Sequence, residues 1–396
     1  MTKRIITLIA ISAMMLMVAG CAKSRKAGGQ MDTPEIHTEQ GMKYIEAGEI
    51  TKAEEEFNLA ISLDKKFAAA YTGRALVFGE RGRVEMDKKA KEKLFDKAFD
   101  DIEKSKDLNK KLPAAWISHG MVITMQHMAD NDKDWVEDAI KQYDQVINKL
   151  DKNSAEAYYR KGWTLKYAYQ FRDAADQFRK VLDMNGAFTA EADREWKIMQ
   201  DIERAAPGSK VGMKIALIDK ISRADVAALF ISELDLVRLI EKKRPKNYDT
   251  DFKAPEDTRT LAGDSIVKVE PMKDIADHWA RNFIQEIVGL QVRGLEPYAN
   301  HTFKPDELIT RGEYAFMLED ALIAILREEA LATKHVGATT SRFPDVHPGA
   351  PYYNAICNMV DKNIMNANIS SEFDAKKSVS GAEALLAIRA LKELKK

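Results

Sequence analysis

The sequence predicts an all-α protein built from two kinds of repeat, and three observations carry that prediction. Small and aromatic residues recur at fixed offsets through the first half, on a period of about 34 residues. A helix start of the form Ser/Thr-x-x-Asp/Glu recurs in the second half, at Ser222, Thr310 and Ser380. The composition, 45% hydrophobic and 31% charged with only 11 prolines in 396 residues, fits helical domains and gives ample chain for two or three cores. Charge is balanced, 61 Lys plus Arg against 62 Asp plus Glu, so nothing points to nucleic acid as a partner. Two cysteines, Cys21 and Cys357, exclude a disulfide framework and a Cys-rich metal site.

The first element is a processing signal rather than structure. Lys3 and Arg4 precede an apolar run from Ile5 to Met17, too short for a comfortable membrane span. The run ends in Val18-Ala19-Gly20-Cys21, which resembles a bacterial lipobox. That resemblance implies that residues 1–20 are cleaved and that Cys21 is acylated, leaving a membrane anchor on a polar tether, residues 21–33. Ala22, rather than Asp, after the cysteine points to the outer membrane, with the rest of the chain facing the periplasm.

Next comes the repeat array, residues 34–206. Gly41, Tyr44, Ala53, Phe57 and Ala60 set a pattern that returns as Gly162, Leu165, Ala174, Phe178 and Val181. Two middle copies keep the first-helix spacing (Tyr71, Ala75, Phe78 and Trp116, Gly120, Ile123), and their second helices follow as Ala98, Ile102, Ser105 and Ala139, Tyr143, Val146. Against the 34-residue period the turn within the second copy is about eleven residues longer and that within the third about seven. The charged stretches 81–93 and 128–134 are therefore expected to be projecting loops. The pattern resembles the tetratricopeptide repeat, in which small residues let two helices approach and aromatics fill the space between repeats. On that reading Tyr44, Phe57, Trp116 and Phe178 are core, residues 189–205 are a capping helix, and the array presents a face to a protein or peptide.

Pro207-Gly208-Ser209 breaks the helical pattern and opens the second domain, residues 207–396. Its three helix starts pair Ser222 with Asp225, Thr310 with Glu313 and Ser380 with Glu383, each a capping box preceded by an apolar residue (Ile221, Ile309, Val379). The staple positions are Val226, Tyr314 and Ala384. Six residues before each of these apolar residues stands another, Ile215, Phe303 or Phe373. Arg223 and Arg311 occupy the first helical position of two copies, where free N–H groups and a guanidinium together make a candidate anion site. Longer elements precede the later two copies: Met272-Lys273-Asp274-Ile275 with His278-Trp279-Ala280, then Phe343-Pro344-Asp345-Val346 with Pro351-Tyr352-Tyr353.

This combined pattern resembles the S-layer homology domain, with its Phe-x-Asp-Val start, Trp-Ala helix, loop with Phe and Pro, and Thr-Arg-Ala-Glu helix. The copies fall at 208–240 (second helix only), 271–326 and 341–395, with a Lys-, Asp- and Pro-rich linker at 241–270. The resemblance implies three pseudo-symmetric helical prongs whose grooves hold wall glycan, peptidoglycan or an attached acidic polymer. Arg311, Trp279 and Arg223 then become the glycan-binding residues, the guanidinium forking onto a carboxylate and the indole stacking on a sugar. Arg311→Ala is accordingly expected to weaken binding at little cost to stability. Gly381 stands where the third Arg would be, Pro351 where the third-copy Trp would be, and Gly312 where Ala is usual.

No catalytic or metal-binding constellation is legible: the seven histidines are scattered, and no nucleophile elbow or phosphate-binding Gly-Lys-Ser/Thr loop occurs. Cys357, among Ile356, Met359 and Val360, is expected to be a buried thiol. The whole reads as a non-enzymatic envelope lipoprotein without a cofactor, gripping wall polymer at one end and a protein partner along the array. The alternative is an assembly factor for outer-membrane, secretion or pilus components, in which the array works and the second domain has lost sugar binding.

Overall fold

The computed structural model describes residues 26–130, 133–240 and 272–394. The signal segment, Cys21 and the linker 241–270 lie outside the described residues. The chain divides into two compact units, Met1–Trp196 and Lys197–Lys396. Among the described residues the regular structure is helical, with two isolated bridges in place of any strand.

The first unit is a run of helix pairs: α1 (Pro34–Glu46) with α2 (Ile50–Leu63), α3 (Ala68–Val84) with α4 (Lys88–Leu108), α5 (Pro113–His127) with α6 (Trp135–Lys149), and α7 (Ala155–Tyr167) with α8 (Phe171–Met184). Helix α9 (Thr189–Ala205) follows. Side-chain caps start three of them, from Thr33 to α1, Asp87 to α4 and Ser154 to α7.

Glycine opposite a ring explains why these pairs pack so closely. A Cβ on Gly41 would lie 2.7 Å from the Phe57 ring, and one on Gly73, in the next pair, would run into the same ring. Phe57 is thereby clasped between α1 and α3 and is fully buried. Gly120 meets Tyr143 and Gly162 meets Phe178 in the same way. Of the four aromatics expected in the core, Phe57 and Phe178 are fully buried, whereas Tyr44 and Trp116 are half-buried. Trp116 donates its indole N–H to the Lys110 carbonyl at 3.0 Å and carries the Lys106 ammonium 4.1 Å above its ring.

The long charged stretch at 81–93 is not a loop. Helix α3 continues to Val84 and α4 begins at Lys88, so the extra residues lengthen both helices of the pair, to 17 and 21 residues. Arg and Lys are good helix formers, Asp87 supplies the cap, and Gly82 lets Phe95 pack into the added turns. Arg74 forks onto Asp101 with two 2.7 Å bonds and ties this pair together on a largely buried carboxylate. The stretch 128–134 does separate α5 from α6, with residues 131 and 132 outside the described residues.

The second unit holds α10 (Lys210–Ala216), α11 (Arg223–Ser232), α12 (Leu236–Ile240), α13 (Arg281–Gly289), α14 (Arg311–Leu326), a short 3-10 turn (Glu329–Ala332), α15 (Tyr353–Asp361) and α16 (Gly381–Glu393). Phe230, Phe303, Tyr314 and Phe373 are fully buried. The Tyr314 hydroxyl donates to the Ala384 carbonyl at 2.8 Å, joining one staple position to the next. Cys357 is buried, and burial pushes its thiol pKa up. Glu319, 1% exposed, accepts from Asn354 (2.6 Å), Asn358 (2.7 Å) and Arg293 (3.0 Å), which satisfies a carboxylate that burial pushes towards its neutral form.

Candidate functional site: three junctions around a hydrogen-bonded ring

The three helix starts, far apart in sequence, meet. Ile309 donates its backbone N–H to the Ile221 carbonyl (3.0 Å), Val379 donates to Ile309 (3.2 Å), and Ile221 donates to Val379 (3.0 Å). This cycle of bonds closes on itself, with all three side chains buried. Bridges between Ser222 and Leu308 and between Thr310 and Ser378 flank it. Each start therefore abuts the loop of the following copy, giving three junctions.

At the first junction Arg223 is buried, 6% exposed, and uses three nitrogens inside the fold. Nε donates to the Phe303 carbonyl (2.9 Å), Nη1 to Gly294 (2.6 Å) and Nη2 to Glu296 (3.0 Å). The guanidinium carbon lies 4.7 Å from the Phe303 ring centre and 5.0 Å from that of Tyr298. At the second junction Arg311 repeats the design: Nε donates to Phe373 (2.8 Å), Nη2 to Asn366 (2.9 Å), and the guanidinium sits 4.8 Å from the Phe373 ring centre. Its Nη1 pairs with Glu383.

These positions correct two expectations. The helix N-termini are not open anion sites, because Arg223 and Ala224 donate their amides to Glu307 and Pro305, and Arg311 and Gly312 donate theirs to Lys377 and Ala375. The arginines hold the next copy's loop, so Arg311→Ala carries a stability cost rather than a binding effect alone. Closing the ring consumes the donors that an isolated helix start leaves free.

The third junction explains Gly381. Its amide donates to Ile218 at 2.8 Å, and a Cβ there would lie 1.7 Å from the Ile215 carbonyl oxygen. Ile215 corresponds to Phe303 and Phe373, whose carbonyls receive the two arginines. At the third junction the end of α10 comes so close that no side chain fits.

Asp274 and Asp345 pin the loops. Asp274 accepts from the amides of Phe303 (2.9 Å) and Lys304 (2.7 Å), and Asp345 from those of Phe373 (2.8 Å) and Ala375 (3.1 Å). Lys304 and Asp374 sit at matching positions in the left-handed region, φ 52° and 57°. The capping boxes at Ser222–Asp225 and Thr310–Glu313 are complete. At the third start Ser380 accepts from the Glu383 amide at 3.2 Å, but the Glu383 carboxylate is turned to Arg311 instead of closing the box.

A groove of about 310 Å³ opens at the first junction. Arg223 forms part of its wall, with Tyr298, Glu296, Glu307, Leu308 and Glu313 around it. The Tyr298 hydroxyl donates to Glu307 at 2.5 Å, and the Lys304 ammonium lies 4.3 Å from its ring centre. Tyr298 and Glu307 escaped the sequence reading. Their counterparts Asn368 and Lys377 differ in type; matching loop bonds, Tyr298 to Thr302 and Asn368 to Glu372 (both 2.8 Å), and matching acceptors, Glu307 for the Arg223 amide and Lys377 for that of Arg311, reveal the correspondence. Trp279 is 57% exposed, its ring tilted against His278 and edge-on to Phe283, so it is a surface aromatic rather than core. Among the described residues no group of three or more His, Cys, Asp or Glu is placed to hold a metal.

A closed ring of capped helix starts, with loops pinned by Asp and Arg, defines a three-copy helical module. Two of its copies, residues 271–315 and 342–385, match the S-layer homology domain. The first unit keeps the helix pairs and glycine–aromatic packing of tetratricopeptide-like repeats. Among solved structures the chain is similar to YrrB, described as a TPR protein with an unusual peptide-binding site, at 18% identity over 39% of this chain and 88% of that one, with a TM-score of 0.18. The chain matches no curated protein.

Proposed function

We propose that this protein is a non-enzymatic envelope lipoprotein whose second unit grips cell-wall polymer at the first junction and whose repeat array engages a protein partner. The observation that carries the reading is the groove beside Arg223, in a module similar to S-layer homology domains. Sugars present hydroxyls around a weakly apolar ring, and the groove offers carboxylates, a phenol and an apolar edge at Leu308 to match. Its three carboxylates outnumber its one guanidinium, so a neutral sugar residue suits it better than an acidic one. Trp279, in the copy that supplies the groove's loop, adds an exposed stacking face. Acyl chains on Cys21, at the end of the lipobox-like run, would fix the other end to a membrane, the outer membrane in this reading.

Co-sedimentation of the full chain with purified sacculi, with and without attached secondary polymer, tests this. Wild-type protein is expected to pellet, with Trp279→Ala and Tyr298→Ala each weakening binding by roughly tenfold. Failure of the wild type to pellet on either preparation would overturn the proposal. Crosslinking in intact envelopes, read for protein adducts on residues 34–205, tests the partner of the array.

A further inference from the structure

The end of the tether is fastened to the repeat array through one histidine. His37, near the start of α1, stands between two carboxylates. Its Nδ1 bonds Glu56 of α2 at 2.5 Å, and its Nε2 bonds Asp32 of the tether at 2.9 Å. An ionised carboxylate offers only acceptor oxygens, so both ring nitrogens must donate, and a ring that donates from both is the imidazolium cation. The ring and Asp32 are each 17% exposed and Glu56 22%, so the three charges are partly shielded from water and salt. Asp32 also accepts from the Gly28 amide at 2.5 Å and gives its own amide to the Gly29 carbonyl at 3.2 Å. The turn at 28–32 is thus built on the residue that His37 grips.

We propose that His37 is a pH-dependent latch: its protonated ring clasps the tether turn to α2, and loss of the proton releases that turn from the array. A neutral ring keeps one N–H. It stays with Glu56, the shorter bond and the partner fixed on a helix, and its other nitrogen then turns a lone pair on the Asp32 carboxylate, which leaves. Glu56 from α2 and Asp32 from the tether are the charged groups that act on the ring. Among the described residues α3, which also packs on α1, puts no charged side chain against it. Burial alone would lower the histidine pKa, but the bonds to Glu56 and Asp32 and their charge outweigh burial and raise it above 6.5. A raised histidine pKa means that docking is complete below pH 6.5 and is lost as pH rises through the folded value. The latch itself needs only these three side chains. If Cys21 carries acyl chains, release also lengthens the free link between membrane and array, by up to about 20 Å for the six residues 28–33.

A nitroxide on the tether turn tests this in the full chain carrying Cys21→Ser and Met31→Cys, since Met31 is 73% exposed and the remaining thiol, Cys357, is buried. Its electron paramagnetic resonance spectrum is expected to show a restricted label at about pH 5 and roughly threefold faster motion at about pH 9. With His37→Gln or Asp32→Asn added, the label should move fast at both. Equal restriction at both pH values without those substitutions, or a pH-dependent change that survives His37→Gln, would overturn the proposal. NMR of the His37 ring supplies a readout that does not depend on the label. Its pKa should lie above 6.5 in the wild type and fall towards 6.5 in Asp32→Asn, which leaves α1 unaltered. A value that Asp32→Asn does not move would equally overturn the latch, even if His37→Gln failed to fold. None of these measurements involves wall polymer, so their failure is distinct from failure of the sacculus assay.

Discussion

The two units solve the same packing problem over different lengths of chain. In the repeat array each contact that matters joins one helix pair to the next, as when Phe57 is clasped by Gly41 and Gly73. In the second unit the decisive bonds span much longer stretches, Arg223 to residues 71 to 80 positions away and Arg311 to residues 55 to 62 away. A damaged array can therefore fail locally, while a broken ring loses all three copies together. Apolar shape governs the first unit, and satisfied backbone carbonyls govern the second.

That contrast can be broken most severely at Gly381. Gly381→Ala is expected to destabilise the second unit by about 4 kcal/mol, because its Cβ meets backbone that cannot yield cheaply. Hydrogen exchange read by mass spectrometry should show loss of protection over 210–240, 281–326 and 353–393, the helices of all three copies, with the array unaffected. Phe57→Ala should cost roughly 3–4 kcal/mol through the cavity it leaves, with protection lost around α1 to α3 and retained in the second unit.

Arg223→Met should cost about 3 kcal/mol, since three carbonyls lose their donor while most of the stem's packing remains. If it melted like wild type, the ring account of the second unit would be wrong. Trp279→Ala, at an exposed site, should change stability by less than about 0.5 kcal/mol in a thermal melt.

Acid separates the units more gently. In the array, burial and then the neighbouring Lys106 hold His119 at about 4, below its ordinary 6.5. A lowered histidine pKa means that the folded state favours the neutral ring, so this stabilisation is present above pH 6.5 and is lost as pH falls from there towards 4. In the second unit burial would raise the Asp361 pKa, but Arg342 and Lys334 outweigh it and hold the carboxyl at about 2. Its stabilisation is complete above its ordinary 3.8 and fades only as pH falls towards 2. Hydrogen exchange at stepped pH should show the region around His119 loosening before the region around Asp361.

Much of the architecture is legible in the sequence. The period in Gly41, Phe57, Gly162 and Phe178 announced helix pairs because close helix approach demands small residues opposite large ones. The boxes at Ser222 and Thr310 announced helix starts because capping is local, fixed by residues three apart. Taken in isolation, those starts mislead. Arg223 and Arg311 look like free cations because their carbonyl partners leave no mark on neighbouring residues, and the stretch 81–93 looks like a loop when measured only against the repeat period, although its Arg and Lys residues and the Asp87 cap favour helix.

Local chemistry thus set where helices begin, which faces are apolar and which repeats exist, since each depends on side chains a few residues apart. Only the folded chain decided that the three starts form a closed ring and that Arg223 borders a groove. It alone showed that Glu383 leaves its own cap for Arg311 and that Gly381 must be glycine. Those outcomes depend on carbonyl groups, which every residue carries alike and which acquire identity only when tertiary packing brings them within reach.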